Sequence, residues 1–375
     1  MDKGGAERQL VELAKGLASK GHQIEVLVFY GGGELEQCLI DSNIRVYHLG
    51  KTARWDVIGF LFKCYQAIRS SNPQVLHSYL VTANTIAALL KPFLSQAQIV
   101  WGVRAGNMNL ENYDWVARWS YRIESWFSPF ADLIICNSES GREYAAAKGF
   151  PRKKMVVIPN GIDTTYFKPD PVTRLRGRAV WGISESDFLI GLVARLDPIK
   201  GHETFLRAAA KYVKNHSKVR FICVGDGPAD YTKQLQQMSL GLGLGNKVIW
   251  TGGQRDMVMV YNALDVMTSA SYGEGFPNVV GEAMACGIPC VVTAVGDSAQ
   301  IVAETGKIVA PYDEDAMAAA WTSLDADARQ TLGALARVRI CKMFSCESLV
   351  EKTENLLFRQ TSKDWVDLNQ KGILQ

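Results

Sequence analysis

Two glutamates with seven residues between them, Glu274 and Glu282, lie in the stretch YGEGFPNVVGEAMACGIPC at 272–290. Carboxylates accept hydrogen bonds from sugar hydroxyls. Around them, Gly273 and Gly275 allow a tight turn, Pro277 and Asn278 suit a helix start, and Gly287 with Pro289 suits its end. A loop feeding a helix N-terminus gathers backbone N–H groups and the positive end of the helix dipole, which favours an anion such as a diphosphate. Carboxylates beside an anion cradle suit a sugar joined to a phosphate.

A second constellation sits in FLIGLVARLDPIKGHETFLRAAAKY, where a buried strand runs into a loop carrying Arg195 and Lys200 and then into a helix. Arginine offers phosphate a planar fork and lysine a compact charge, so the pair can neutralise a diphosphate; surface charges on a solvated loop are the plain alternative. In the first half, Gly4 and Gly5 precede a helix and could bring backbone amides against a phosphate, or belong to a flexible terminus. His77 ends a strand, where ligands of open α/β sheets bind, and is either ligand-facing or packed. Arg104, closing QIVWGVR, reads as a grip for an acceptor phosphate or as a solvated arginine.

The Glu-x7-Glu pattern with GFPN and EAMACGIP, the segment CNSES, and IPNGID with Phe167 resemble the retaining glycosyltransferases of family 4. The resemblance runs from about Gly4 to Phe358 and implies an α/β chain of the GT-B fold, two Rossmann-like domains facing a central cleft. It implies a hexosyltransferase that takes a nucleotide-sugar donor, a UDP- or GDP-sugar, with neither cofactor nor metal. Glu274, Arg195 and Lys200 would be the catalytic set, with Glu274 orienting donor-sugar hydroxyls and the two cations meeting the leaving diphosphate. Glu282 would hold the ribose, and Phe276, Asn278 and Val279 would offer backbone amides. Gly4, Gly5, His77 and Arg104 would bind substrate from the first domain. The implied acceptor is a lipid-linked glycan at the membrane surface, in cell-surface polysaccharide synthesis. Tyr79 stands where many relatives have a second histidine, which leaves His77 without a catalytic assignment, and Ala194 stands where glycine is frequent. A nucleotide-sugar 2-epimerase of the same fold and a catalytically inactive nucleotide-sugar binder are the alternatives; product analysis separates all three.

Composition bounds these readings. With 375 residues, 47% of them hydrophobic, the chain can bury a large core and its length suggests two domains. A net charge of +3 is too mild to indicate nucleic acid. Eight cysteines without a CxxC pair read as buried free thiols in a reducing compartment, hence the cytoplasm. No apolar run reaches the ~18 residues of a membrane span and no signal-peptide pattern opens the chain, so membrane contact is expected to be peripheral, on the inner face. Gly225 and Gly227 lack the third glycine of a dinucleotide fingerprint, and GLGLG at 241–245 follows a helix, which argues against an NAD enzyme.

The elements that must position these residues alternate. A helix with Leu10, Leu13, Ala14 and Leu17 on one side stops at Gly21, and strands are expected at 24–29, 75–77, 99–103, 133–136 and 155–158. Helices are expected at 58–68, 83–90 and 113–127. Such alternation predicts parallel sheets. Proline and glycine punctuate 159–171, and the domains are set at 1–168 and 169–375, with a C-terminal helix returning toward the first. Trp115, Trp119, Ile123 and Trp126 recur at helical spacing and are read as a face packed on the core, a membrane-interface face being the alternative. Asp313 to Asp315 and Asp325 to Asp327 are read as helix caps rather than metal ligands. Only Met1, Asp2 and Lys3 precede Gly4, too few for the strand that opens a Rossmann-like domain, so that strand is expected to be missing.

Overall fold

A computed structural model describes residues 4–51, 57–94, 96–104 and 115–358; the side chains of residues 57, 115–118 and 120 are not described. The expectation about the residues ahead of Gly4 lies outside these. The described chain divides into two compact units, one of residues 4–104, 115–161 and 346–358, the other of residues 162–345. The division falls between Gly161 and Ile162 rather than after Lys168. Its cause is burial: Ile162 and Phe167 belong to the core of the second unit, and the Ile162 amide donates to the Phe344 carbonyl at 2.8 Å.

The first unit runs α1 Gly5–Ser19, β1 Glu25–Val28, α2 Glu34–Asp41, β2 Arg45–His48, α3 Val57–Ser71, β3 Val75–Tyr79, α4 Leu80–Leu90, β4 Gln98–Val103, α5 Trp115–Phe127, β5 Leu133–Cys136, α6 Glu139–Ala147 and β6 Met155–Val157. Its strands are parallel and form two sheets, β1–β2 and β3–β4–β5–β6. Helix α1 serves both. Val11 and Ala14 pack with Val26, Val28 and Leu39 over the small sheet, while Leu13 and Leu17 pack with Val100, Leu133 and Ile135 over the larger one. Helix α2 and strand β2 have no counterpart in the sequence reading.

The second unit runs α7 Pro171–Val180, β7 Phe188–Val193, α8 His202–Tyr212, β8 Val219–Val224, α9 Ala229–Gly241, β9 Val248–Gly252, α10 Met257–Ala263, β10 Val266–Ser269, α11 Asn278–Ala285, β11 Cys290–Thr293, α12 Ser298–Val302, β12 Lys307–Val309, α13 Glu314–Thr322 and α14 Ala326–Met343. Its six parallel strands are ordered β12–β11–β10–β7–β8–β9. Helix α7 is a further element that the proline-rich reading passed over. Asp170 accepts from the Val172 and Thr173 amides and Pro171 takes the first helical position, a cap signature. Asp313 and Asp325 do cap α13 and α14, accepting from Ala316 and Ala328. The chain then returns to the first unit as α15, Cys346–Phe358, which packs on α1.

Helix α5 overturns the packed-face expectation. Trp119, Ile123 and Trp126 are 49%, 36% and 67% exposed, and the Arg122 guanidinium lies over the Trp119 ring. What faces inward is Glu124, only 3% exposed, which accepts a 2.8 Å hydrogen bond from Asn84 Nδ2 on α4; Ser78 on β3 in turn donates to Asn84 Oδ1. The helix is rotated so that a carboxyl, not its indole stripe, meets the neighbouring helix.

Burial pushes the Glu124 carboxyl up to about 7, against a smaller lowering by the Asn84 hydrogen bond. The unfolded chain ionises near 4.5, so the folded state binds more protons between pH 4.5 and 7 and loses stability as pH rises through that window. Glu124→Gln removes the ionisation. The stability it gains over wild type is expected to be about 3 kcal/mol larger at pH 8 than at pH 5, read from denaturant melts of both proteins. Equal differences at the two pH values would contradict the assignment.

Candidate active site

The strand order of the second unit reverses between β7 and β10, and open parallel sheets bind ligands beyond the carboxyl ends of their strands at such a point. The loops leaving these two strands carry the residues singled out above. After β7, Asp197 accepts from the Ile199 amide at 3.1 Å and caps a short turn that presents Lys200. Gly201 then adopts φ +68°, where a side chain would strike the Ala270 carbonyl, so only glycine lets the Lys200 turn lie against the end of β10. After β10, Ser271 Oγ donates to Glu274 Oε1 at 2.6 Å, and Lys200 Nζ reaches the same oxygen at 2.6 Å. A cation from one loop and a carboxylate from the other are thus joined across the reversal. Arg195 is exposed and reaches Asp197 Oδ2 at 3.3 Å.

Beyond Glu274 the chain turns into α11. Its N-cap is Pro277, which supplies no capping side-chain bond. The Phe276 ring is buried and packs near Phe344, 5.7 Å between centroids, so Phe276 can serve a ligand only through its backbone. Asn278 and Val279 occupy the first turn, half-buried. Glu282, one turn further on, is buried and accepts a 2.6 Å hydrogen bond from Tyr261 Oη on α10.

The structure adds partners that residue spacing did not indicate. Ser271 and Tyr261 each orient one of the two glutamates, and no motif marks either. Gly296, at φ +55°, lies against the Glu274 carbonyl, and the Asp297 amide donates to the Gly275 carbonyl at 3.0 Å. The Gly-Asp pair after β11 was the available turn signal. Asp226 accepts from the Gly253 amide at 2.8 Å, tying together the loops that follow β8 and β9. His202, the first residue of α8, is fully buried with neither ring nitrogen hydrogen-bonded.

The first unit holds the remaining predicted residues. Gly4 is the extended N-cap of α1 and Gly5 its first residue. His77 is the middle residue of β3 rather than its end, because the strand continues to Tyr79, and Arg104 directly follows the last residue of β4. The Arg104 guanidinium donates to Tyr79 Oη at 2.9 Å and to Asn160 Oδ1 at 3.0 Å, and lies over the Tyr79 ring. His77 packs its ring 4.7 Å from that of Tyr79, and its Nε2 has no partner. Burial, then the nearby Arg104 charge, holds the His77 imidazole down to about 3, so it is neutral at ordinary pH. Tyr79, which departs from the expected histidine, here braces Arg104.

Residues 187–327 match the family model described as glycosyl transferases group 1, and residues 3–166 match that described as glycosyltransferase family 4. The candidate glycosyltransferase EpsF of Bacillus subtilis is 23% identical over 78% of this chain and 77% of its own. A GDP-mannose-dependent alpha-(1-6)-phosphatidylinositol monomannoside mannosyltransferase of Mycolicibacterium smegmatis is 32% identical, over 53% of this chain and 54% of its own. Among solved structures, Anabaena Alr3699/HepE in complex with UDP-glucose superposes with a TM-score of 0.82 at 23% identity, covering 95% of this chain and 96% of that one. The fold is GT-B, two Rossmann-like domains. The chain belongs to the GT-B glycosyltransferases, and its matches are consistent with family 4.

Burial, and secondarily the Lys200 charge, holds the His202 imidazole down to about 4, against 6.5 in the open chain. The unfolded state therefore binds the extra proton first, and stability falls as pH drops from 6.5 towards 4. The loss attributable to this group is up to about 3 kcal/mol. His202→Gln should flatten that part of the acid limb in a pH series of thermal melts; an acid limb identical to wild type would refute the role.

Proposed function

We propose that the protein is a retaining hexosyltransferase that moves a sugar from a UDP- or GDP-sugar, held by the second unit, to an acceptor held by the first. The observation that carries this reading is the Lys200–Glu274 contact at the strand-order reversal, beside the start of α11. As the bond between the sugar's anomeric carbon and the β-phosphate oxygen breaks, negative charge grows on the phosphate. Lys200, Arg195 and the α11 N-terminus meet that charge. Without donor, Glu274 neutralises Lys200. With donor, the diphosphate takes over the lysine and Glu274 is released to accept from sugar hydroxyls. Glu282, held by Tyr261, takes the ribose, and the amides of Phe276, Asn278 and Val279 complete the grip on the phosphates. Retention follows from attack on the face the phosphate leaves: the acceptor oxygen bonds to the anomeric carbon while its proton passes to the departing phosphate.

The donor class is supported by the UDP-glucose in the Anabaena structure and by the GDP-mannose dependence of the mycobacterial relative. A lipid-linked acceptor is supported by that relative's phosphatidylinositol monomannoside substrate and by the outward indole face of α5 beside Arg122. Indoles and a cation on one face suit the headgroup boundary of a bilayer. No described helix is long and apolar enough to cross a membrane. Work at the inner face of the membrane, in making cell-surface polysaccharide, is the setting that such an acceptor supports.

A panel of UDP- and GDP-sugars tested by thermal shift identifies the donor, since a ligand at ~100 times its dissociation constant stabilises by ~2.7 kcal/mol. Incubation with acceptor then yields a transferred sugar. An epimerised donor would make the protein an isomerase, and binding without turnover an inactive binder. Arg195→Ala and Lys200→Ala are each expected to lower kcat by about 10² to 10³. Glu282→Ala should chiefly weaken nucleotide binding, and Glu274→Ala chiefly lower turnover. Wild-type behaviour of both glutamate variants would sink the site assignment. Activity is expected to survive EDTA; its abolition, with recovery on adding Mg²⁺ or Mn²⁺, would overturn the metal-free mechanism.

A further inference from the structure

Tyr312, between β12 and α13, is a non-glycine residue in a left-handed backbone conformation, φ +65°. Its side chain is 64% exposed, so burial of the ring does not explain the conformation. What the turn achieves is a stack: the Tyr312 ring lies on that of Tyr272 with 3.9 Å between centroids and 16° between planes. The strain of a left-handed tyrosine and the gain from one aromatic stack are of similar size, so the arrangement adds little net stability.

Tyr272 connects the two loops of the site a second time, alongside the Lys200–Glu274 pair. Its amide donates to the Ile199 carbonyl at 2.7 Å, in the turn that presents Lys200. Its hydroxyl lies 2.7 Å from Thr204 Oγ1, in the first turn of α8. The preceding residue is Ser271, which holds Glu274. The next residue, Gly273, leads directly into Glu274. With the ring of Tyr272 fixed, the Glu274 loop is tied to the Lys200 turn. Tyr312 covers that ring from outside, and the next residue, Asp313, caps α13.

We propose that Tyr312 is a positioning residue: its ring, aimed by a left-handed turn, clamps Tyr272 so that Glu274 and Lys200 keep the geometry that receives the donor's sugar and diphosphate. The proposal rests on the donor-site reading given above, and its test separates the two. Tyr312→Gly removes the ring and the strain together; Tyr312→Phe keeps the ring and removes only the hydroxyl. In the ligand-free protein, amide hydrogen exchange at 272–275 is expected to quicken about fivefold in Tyr312→Gly, the change one lost aromatic stack would give. Its melting temperature should not fall. Turnover of UDP-glucose, or of GDP-mannose if that is the donor, should drop in kcat by a similar factor with little change in KM. Tyr312→Phe should restore exchange and turnover together. Unchanged exchange in Tyr312→Gly overturns the clamp. Faster exchange with unchanged kcat overturns its role in positioning, and so does a Tyr312→Phe as slow as the glycine variant. Lys200→Ala with wild-type turnover would instead defeat the donor-site reading, while the exchange data decide the clamp independently.

Discussion

Lys200 and Glu274 come from loops that leave adjacent strands, and their 2.6 Å contact joins two charged side chains across the reversal. Both side chains are largely shielded from water, so neither charge is comfortable alone: removing one partner leaves the other partly desolvated and unpaired. That constraint explains much of the local construction. Gly201 must be glycine for the lysine turn to reach the end of β10, Ser271 must donate to fix which carboxylate oxygen faces the lysine, and Gly296 must lack a side chain where the glutamate loop passes over it. The pair also gives the site a resting state. An unpaired, partly shielded cation would repel neighbours and recruit stray anions; here the carboxylate neutralises it.

The first unit is built on a different economy of charge. Arg104 donates to Tyr79 and Asn160 through its two terminal nitrogens, and His77 beside it is kept neutral. A braced guanidinium thus lies beside an imidazole that burial keeps neutral at ordinary pH. Glu124 lies in the same unit and bonds to Asn84, which also receives the Ser78 hydroxyl. This buried polar network fixes the rotation of α5 against α4 at the expense of turning an indole stripe outward.

Much of this was legible in the residues themselves. Alternating periodicities gave the parallel sheets, the Asp313 and Asp325 caps were read correctly from their position before alanine-rich helices, and the glycine-rich stretch at 272–290 did open a helix. Contacts between distant positions were not legible. Lys200 and Glu274 are 74 positions apart, and only the strand order β10–β7–β8 makes them neighbours. The α5 face was misjudged because a stripe of tryptophans has the same period whether it faces a core or water. What decided it was Glu124 finding a partner in Asn84, forty positions earlier. The division between the units lies seven residues before the expected boundary for a related reason. Proline and glycine mark where a chain turns, whereas the boundary is set by which core buries Ile162 and Phe167.

Helix α15 closes the first unit although it follows the whole of the second in the chain. Val350 sits where a side chain on Gly16 would otherwise stand, and Leu349 and Val350 share a core with Leu13 and Leu17 of α1. Translation therefore imposes an order on assembly. The strands and helices up to Gly161 emerge from the ribosome with one apolar flank uncovered, and that flank stays bare while residues 162–345 are made. At ~5 to 20 residues per second this interval is on the order of 10 s or longer. The second unit, contiguous in sequence, can complete its core meanwhile. The nascent first unit is the part that would draw on chaperones, and a ribosome stalled within the second unit would leave it permanently unfinished.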